Sequence, residues 1–447
     1  MCEPIQLKNL ILLELNEINF DVVSQYIVQS PGKFCSLGKL MSGASIITTA
    51  EDKYEELEPW IQWPSVHTGL SYSEHGIFRL GDVVSSNAPQ IFEELEKQNL
   101  LVGSISAMNA ENRLKNSAYF IPDPWTKTPS GGEFWIQALS LAISQAANDN
   151  SQSKVSFKTF VTLLLAVIRF AKLRHYTTYL KLALSTSKSR WRKALFLDLL
   201  LHDIHLGLRA LRTPDFSTLF LNAGAHIQHH YFFSSKHVKK GTHLRNPDWY
   251  ISEDQDPFED MLEVYEIIIG DYLSLRDSDL IIATGLSQKP NDKVEFYYRL
   301  KNHSTFLDYI GIEYRSVIPR MARDFLIQFD SSEQALAAQQ KLNQILIVED
   351  GVKLFGEIDN RGQSLFVVLT YPNELHTKTS ISVNGSIIFI KPFLTFVAIK
   401  NGMHQAEGYA FFTAGIADYS PSNRQHVKEI HGSILNYFNV PRQRHFS

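Results

Sequence analysis

Residues Asn9 to Leu15 read NLILLEL, an unbroken apolar run of strand length. A run without polar alternation is what a strand buried on both faces of a parallel sheet requires. That requirement places the chain in the α/β class. Ser217 to Leu221 (STLFL) and Leu280 to Ala283 (LIIA) read as further strands of the same sheet, and Ser45 to Thr49 (SIITT) as another. Open α/β sheets bind ligands beyond the C-terminal ends of their strands. The first run ends in that kind of place, with Glu14, Asn16, Glu17, Asn19 and Asp21.

The chain has 447 residues, 44% of them hydrophobic and 12% aromatic, enough for a large core in one domain with inserts. Cys2 and Cys35 are the only cysteines, too few for a disulfide framework. No apolar segment precedes a cleavage site, so the cytoplasm is the expected compartment. No run of 18 apolar residues occurs, so no transmembrane helix is expected. The net charge of −4 is unevenly spread. Residues 154–212 hold twelve Lys/Arg and two Asp/Glu, a local +10, which leaves −14 for the rest. This segment is helical by pattern, and VTLLLAVIRFAKL and WRKALFLDLLL are basic and amphipathic. It reads either as a module for an anionic partner, at the inner face of a membrane for instance, or as a basic face packed on an acidic body.

Chemistry-bearing residues cluster in three further places. Glu58 to Ile77 reads EPWIQWPSVHTGLSYSEHGI, a helix opened by Pro59 and closed by Thr68-Gly69, then a loop to His75-Gly76. Asn222 to Phe233 reads NAGAHIQHHYFF, with His226, His229 and His230 at a strand end. Histidines three or four residues apart on a helix can ligate one metal. Gly402-Met403-His404 precedes Gly408-Tyr409 near the C-terminus.

The order of these pieces resembles the alkaline phosphatase superfamily, most closely its type I phosphodiesterase and nucleotide pyrophosphatase branch. The resemblance covers most of residues 8 to 290 outside the helical insert, and a short piece near His404. It implies a three-layer αβα sandwich with a helical insertion and a small C-terminal antiparallel β subdomain. Residues 1–150 and 213–320 form the expected core, 151–212 the insertion, 321–400 an α+β subdomain and 401–447 a return to the core. A polar link is expected at 148–153 and a hairpin turn at Asn384-Gly385.

The resemblance also implies two-metal phosphate- or sulfate-ester chemistry, and here the sequence departs from it. The nucleophile position falls on Pro59, beside Glu58. The first metal-binding Asp falls on Asn16, with Glu17 next to it; Asn16 and Asp21 can equally cap the helix that follows. In one register the family Asp and His fall on Ala225 and His229, in the other on Asn222 and His226. The Asp-His pair after LIIA is replaced by Thr284-Gly285-Leu286-Ser287-Gln288. His404 matches a late metal-binding His.

The resulting expectation is a divergent phosphodiesterase-like hydrolase or transferase with at most one divalent metal, zinc or manganese. Its candidate ligands are His226, His229, His404, Glu17 and Asn16. Glu58 is the candidate catalytic carboxylate, or a cap. His67, His230 and Asn222 are candidate substrate-binding side chains. Phosphorylated or anionic small molecules, glycans or lipids are the expected substrates, with peripheral membrane contact through the insertion. The alternative is a non-catalytic relative that binds an anion or a partner. No nucleic-acid motif and no Gly-rich phosphate loop occurs, so nucleic acid is not expected.

Overall fold

The computed structural model describes residues 9–148, 156–186, 189–320, 323–383 and 385–442. Cys2, most of the polar link after Asn148, and Asn384 lie outside them. Two compact units are present, one made of 1–243, 251–290 and 402–447, the other of 244–250 and 291–401.

The first unit is built on an eight-stranded mixed sheet. Its strands run, edge to edge, Gln425–His426, Ala44–Thr49, Glu407–Phe412, Ser278–Ala283, Asn9–Leu15, Phe216–Leu221, Val102–Ile105 and Tyr119–Ile121. Asn9–Leu15 lies at the centre, parallel to both neighbours. From Leu10 onward it is buried, as are all residues of Phe216–Leu221 and Ser278–Ala283. The apolar runs follow from that position, since every residue faces a covering layer.

Helices lie on both faces. On one, Leu10, Leu12, Phe220 and Ile281 share a core with Trp63 and Val66 of the helix Pro59–Thr68 and with Ile430 and Ile434 of the helix Glu429–Tyr437. On the other, Phe411 packs its ring 4.6 Å from that of Phe20, which opens the helix Phe20–Gln29. Asn19 caps that helix through its side chain, accepting from Val22 N. The basic segment forms helices Phe157–Phe170, Tyr176–Ser185 and Arg192–Arg212.

The second unit has its own core. A four-stranded antiparallel sheet orders Glu357–Asn360, Ser364–Val368, Asp324–Gln328 and Ser316–Pro319. The helix Ser332–Asn343 is capped by Ser331, whose hydroxyl accepts from Gln334 N. Ser380–Val383 pairs with Ser386–Phe389, Val383 opposite Ser386. Residues 387 to 400 read as one strand in the sequence, and the structure divides them. Lys391–Phe393 is a turn of 3-10 helix, because Pro392 has no N–H to give a ladder.

Candidate metal centre

Four chain segments end side by side. Leu15 pairs with Leu221, and Glu14 with Ala283, so the three central strands stop at one level. Asn16 N then donates to Leu221 O and Glu17 N to Thr284 O, each at 3.0 Å. The strand Glu407–Phe412 runs antiparallel with Ala410 opposite Ala283, which brings the residues before it to the same edge.

Glu17 leaves its strand with φ 62, in the left-handed region. That conformation costs a side-chain-bearing residue about 1–2 kcal/mol and recurs at functional positions. The turn directs a buried carboxylate into the convergence of segments. Its Oε1 accepts from Asn16 Nδ2 at 3.0 Å. Its Oε2 meets Gln288 Nε2 at 2.5 Å, His229 Nε2 at 2.9 Å and His404 Nε2 at 3.1 Å. The two imidazole Nε2 atoms are 3.3 Å apart.

One carboxylate and two imidazoles thus present three ligating atoms to one point. Tetrahedral zinc with bonds of about 2.0–2.1 Å separates its ligand atoms by about 3.3 Å, and two His with one carboxylate is a known zinc donor set. The donors fit a divalent cation in chemistry and in spacing. Burial pushes the Glu17 carboxyl up, but His404 and His229 hold it well below the usual carboxylate range. Burial pulls the His404 imidazole down, and Glu17 and Glu58 overcome it, so it is pushed up to about 8.

Glu58 stands before the helix Pro59–Thr68, and only its backbone caps it. Its carbonyl accepts from Ile61 N and Gln62 N, while its side chain makes no capping bond. Its Oε2 lies 3.6 Å from His404 Nδ1, and the Leu57 carbonyl also bonds that ring. Acceptors at the second nitrogen fix a ligand histidine with its first nitrogen available.

The other candidates fall elsewhere. Asn16 Oδ1, the only ligating atom of that side chain, accepts from Trp63 Nε1 at 2.8 Å. Its amide donates to Glu17 and to Asn222 Oδ1 at 2.8 Å. Tryptophan donates only, so this orientation is fixed, and Asn16 positions Glu17 instead of facing a cation. Of the three histidines on the helix Ala223–Tyr231, His229 alone reaches Glu17. His226 and His230 pack ring to ring at 4.8 Å, and burial holds His226 down at about 4. His67 is enclosed in the core, its Nε2 3.0 Å from Glu14 Oε1, where no dissolved substrate reaches it. The helix turns that side chain toward the sheet with Trp63, four residues earlier.

Three participants carry no sequence signal of their own. Gln288 holds Glu17 as described. Gln228 Nε2 donates to the Glu17 carbonyl at 2.8 Å. Gly402 makes room for both, since a Cβ there would stand 2.0 Å from Gln288 Oε1 and 2.8 Å from the Gln228 carbonyl. The Thr68-Gly69 and His75-Gly76 pairs end two successive helices, with Gly69 at φ 70 and Gly76 at φ 65. A second acid and histidine group, His175, Asp203 and Asp271, is fully buried. There Lys172, Arg174 and His202 already bond the Asp271 carboxylate, so the group is an ion-pair hub.

No family model matches the chain, and no curated protein sequence does. Among solved structures the chain is similar to phosphonoacetate hydrolase from Sinorhizobium meliloti 1021, at 11% identity and TM-score 0.40 over 97% of this chain and 96% of that one. It is similar to alkaline phosphatase from the Antarctic bacterium TAB5, at 9% identity and TM-score 0.39 over 98% and 99%. Murine ectonucleotide pyrophosphatase/phosphodiesterase 5 is similar at 10% identity and TM-score 0.42 over 98% and 97%. The chemistry of the centre rests on its own residues, a carboxylate and two imidazoles converging from three elements of one α/β unit.

Proposed function

We propose that the chain is a one-metal hydrolase of phosphate esters in which Glu17, His229 and His404 hold a single zinc or manganese ion. The observation that carries this reading is the mutual approach of Glu17 Oε2, His229 Nε2 and His404 Nε2, at 2.9, 3.1 and 3.3 Å. A cation bound there supplies a Lewis acid and an acidified water. Asn16 and Gln288 hold both oxygens of Glu17, and Glu58 faces His404 from the far side of its ring. Pro59 stands where the resemblance places a hydroxyl nucleophile, so water is the attacking group. Glu58 holds the second nitrogen of His404 and so keeps its Nε2 turned to the cation. Two carboxylates at the centre favour a singly charged phosphodiester over a doubly charged monoester.

A second reading draws on the same cluster. Without a cation, His404 already pairs with both Glu17 and Glu58, which suits a non-catalytic relative that binds a partner at this edge of the sheet. Elemental analysis separates the two. Wild type reconstituted with zinc or manganese is expected to retain a single equivalent after dialysis, and His229→Ala and His404→Ala are expected to lose it. The loaded wild type then hydrolyses an aryl phosphodiester, and both variants do not. No retained metal in wild type overturns the one-metal reading in favour of the second.

A further inference from the structure

The helix Phe157–Phe170 is packed inside out. Its two fully buried residues are Thr159 and Ala166. Its large apolar residues face outward instead, with Phe157 82% exposed, Phe160 59%, Leu165 58% and Ile168 61%. Phe157, Phe160, Leu164 and Ile168 recur at three- and four-residue spacing, so they form one stripe. The helix docks by a different side. Phe170 packs against Gly207 of the helix Arg192–Arg212, where a Cβ would stand 2.4 Å from the ring. The next helix repeats the pattern, with Leu180 and Leu184 on one exposed face.

Charge decides what such a face meets. Residues 156–197 hold nine Lys/Arg and no Asp or Glu. Some of this charge is spent at home: Lys172 and Arg174 pair with Asp271, Lys181 with Glu263 and Arg192 with Asp260. Lys158 and Arg169, at the two ends of the stripe, are exposed, as are Arg190 and Lys193; the Arg169 guanidinium lies over the Trp135 and Phe170 rings, on the side of Glu133. A second copy of the chain would bring the same sign of charge against this face, which opposes a self-complementary interface. No helix among the described residues is long and apolar enough to cross a membrane. An apolar stripe with exposed cations at both ends, on a segment that carries no acid of its own, is the chemistry of a helix lying in the interface of an anionic bilayer.

We infer that the helix Phe157–Phe170 docks the protein on anionic phospholipid, its apolar stripe entering the acyl boundary and Lys158 and Arg169 contacting headgroups. The full chain is expected to sediment with phosphatidylglycerol-containing vesicles and to stay in solution with pure phosphatidylcholine. Salt at about 0.5 M weakens the binding by screening. The double variant Phe160→Asp/Ile168→Asp, which alters exposed residues only, is expected to lose at least about tenfold in partitioning. Lys158→Gln and Arg169→Gln each lose about fivefold. Phe160→Trp gives a reading without added charge, and its extra emission is expected to shift to the blue on phosphatidylglycerol vesicles. Failure of wild type to sediment overturns the inference, and so does equal sedimentation of the Asp variant or an unshifted emission from the Phe160→Trp variant. A wild-type dimer that the Asp variant converts to monomer also overturns it, by assigning the stripe to a second copy.

Discussion

His75 is held in one protonation state by its neighbours. Ile77 N donates to its Nδ1 at 2.9 Å, so the ring proton sits on Nε2, which donates to Ser65 Oγ at 3.1 Å. Burial pushes this imidazole down to about 4, against the pull of Glu51 and Glu74. The unfolded chain takes up a proton below about 6.5, and the folded chain does not until about 4. The neutral ring's contribution is therefore present above pH 6.5 and lost as pH falls toward 4, with a full difference of about 3 kcal/mol. His75→Gln should flatten the rise in stability between pH 4 and 6.5 relative to wild type, as measured by urea unfolding at a series of pH values. An unchanged slope would mean that the ring is protonated in the fold. At the metal centre, Gly402→Ala is expected to push Gln288 off Glu17 and lower metal retention in the dialysis assay, and to lower the thermal midpoint as well, because the Gln228 backbone carbonyl must also give way. Residue types at the centre were legible in the sequence, and their directions were not. His226, His229 and His230 are equivalent as text, and only the rotation of their helix against Glu17 distinguishes His229. Asn16 and Glu17 are adjacent in sequence, and the left-handed turn at Glu17 settles which of them points inward.

Elements were legible where burial fixes the pattern. Asn9–Leu15, Phe216–Leu221 and Ser278–Ala283 announce themselves because covering layers on both faces demand unbroken apolar runs. Tertiary caps leave no such trace. The helix Ala223–Tyr231 has no capping bond from Asn222. It is capped from another element by Asp198, whose carboxylate accepts from Ala223 N at 2.9 Å, Asn222 N at 3.3 Å and Tyr265 OH at 2.8 Å. Burial pushes that carboxyl up to about 6 in spite of these bonds. Asp198 therefore links the insertion to the helix that carries His229. Asp198→Ala removes the cap and leaves a buried tyrosine hydroxyl short of a partner, at a cost of about 2–3 kcal/mol. Metal retention should fall with it, because the His229 helix loses the anchor at its start. Asp198→Asn, which still offers an accepting oxygen, should retain most of both. Equal metal retention in the Ala variant would show that Glu17 and His404 alone set the position of His229.

Across the first unit, the sequence's charge asymmetry resolves into two populations of cations. Asp260, Glu263 and Asp271 of the helix Pro257–Leu273 pair with Arg192, Lys181, Lys172 and Arg174, which fasten the basic segment to the body. Lys158, Arg169, Arg190 and Lys193 stay exposed, while Arg209 and Arg212 near the end of the segment turn to Asp277 and Glu133. Composition gave the total and could not give this division, because which cations are spent depends on where Pro257–Leu273 lies in space. Asp271 is the test point. It is buried, it bonds Lys172 Nζ at 2.7 Å and Arg174, and it accepts from His202 Nε2 at 3.0 Å. Asp271→Asn keeps an acceptor for His202 and removes the charge. Both cations reach solvent, so the loss is smaller than for an enclosed pair, about 1–3 kcal/mol in urea unfolding. The same change frees two cations beside the stripe. It should therefore raise partitioning onto phosphatidylglycerol vesicles by several-fold while lowering stability. A general weakening of the fold would lower both together, and that outcome would mean the fastening and the docking face are not separate uses of the segment's charge.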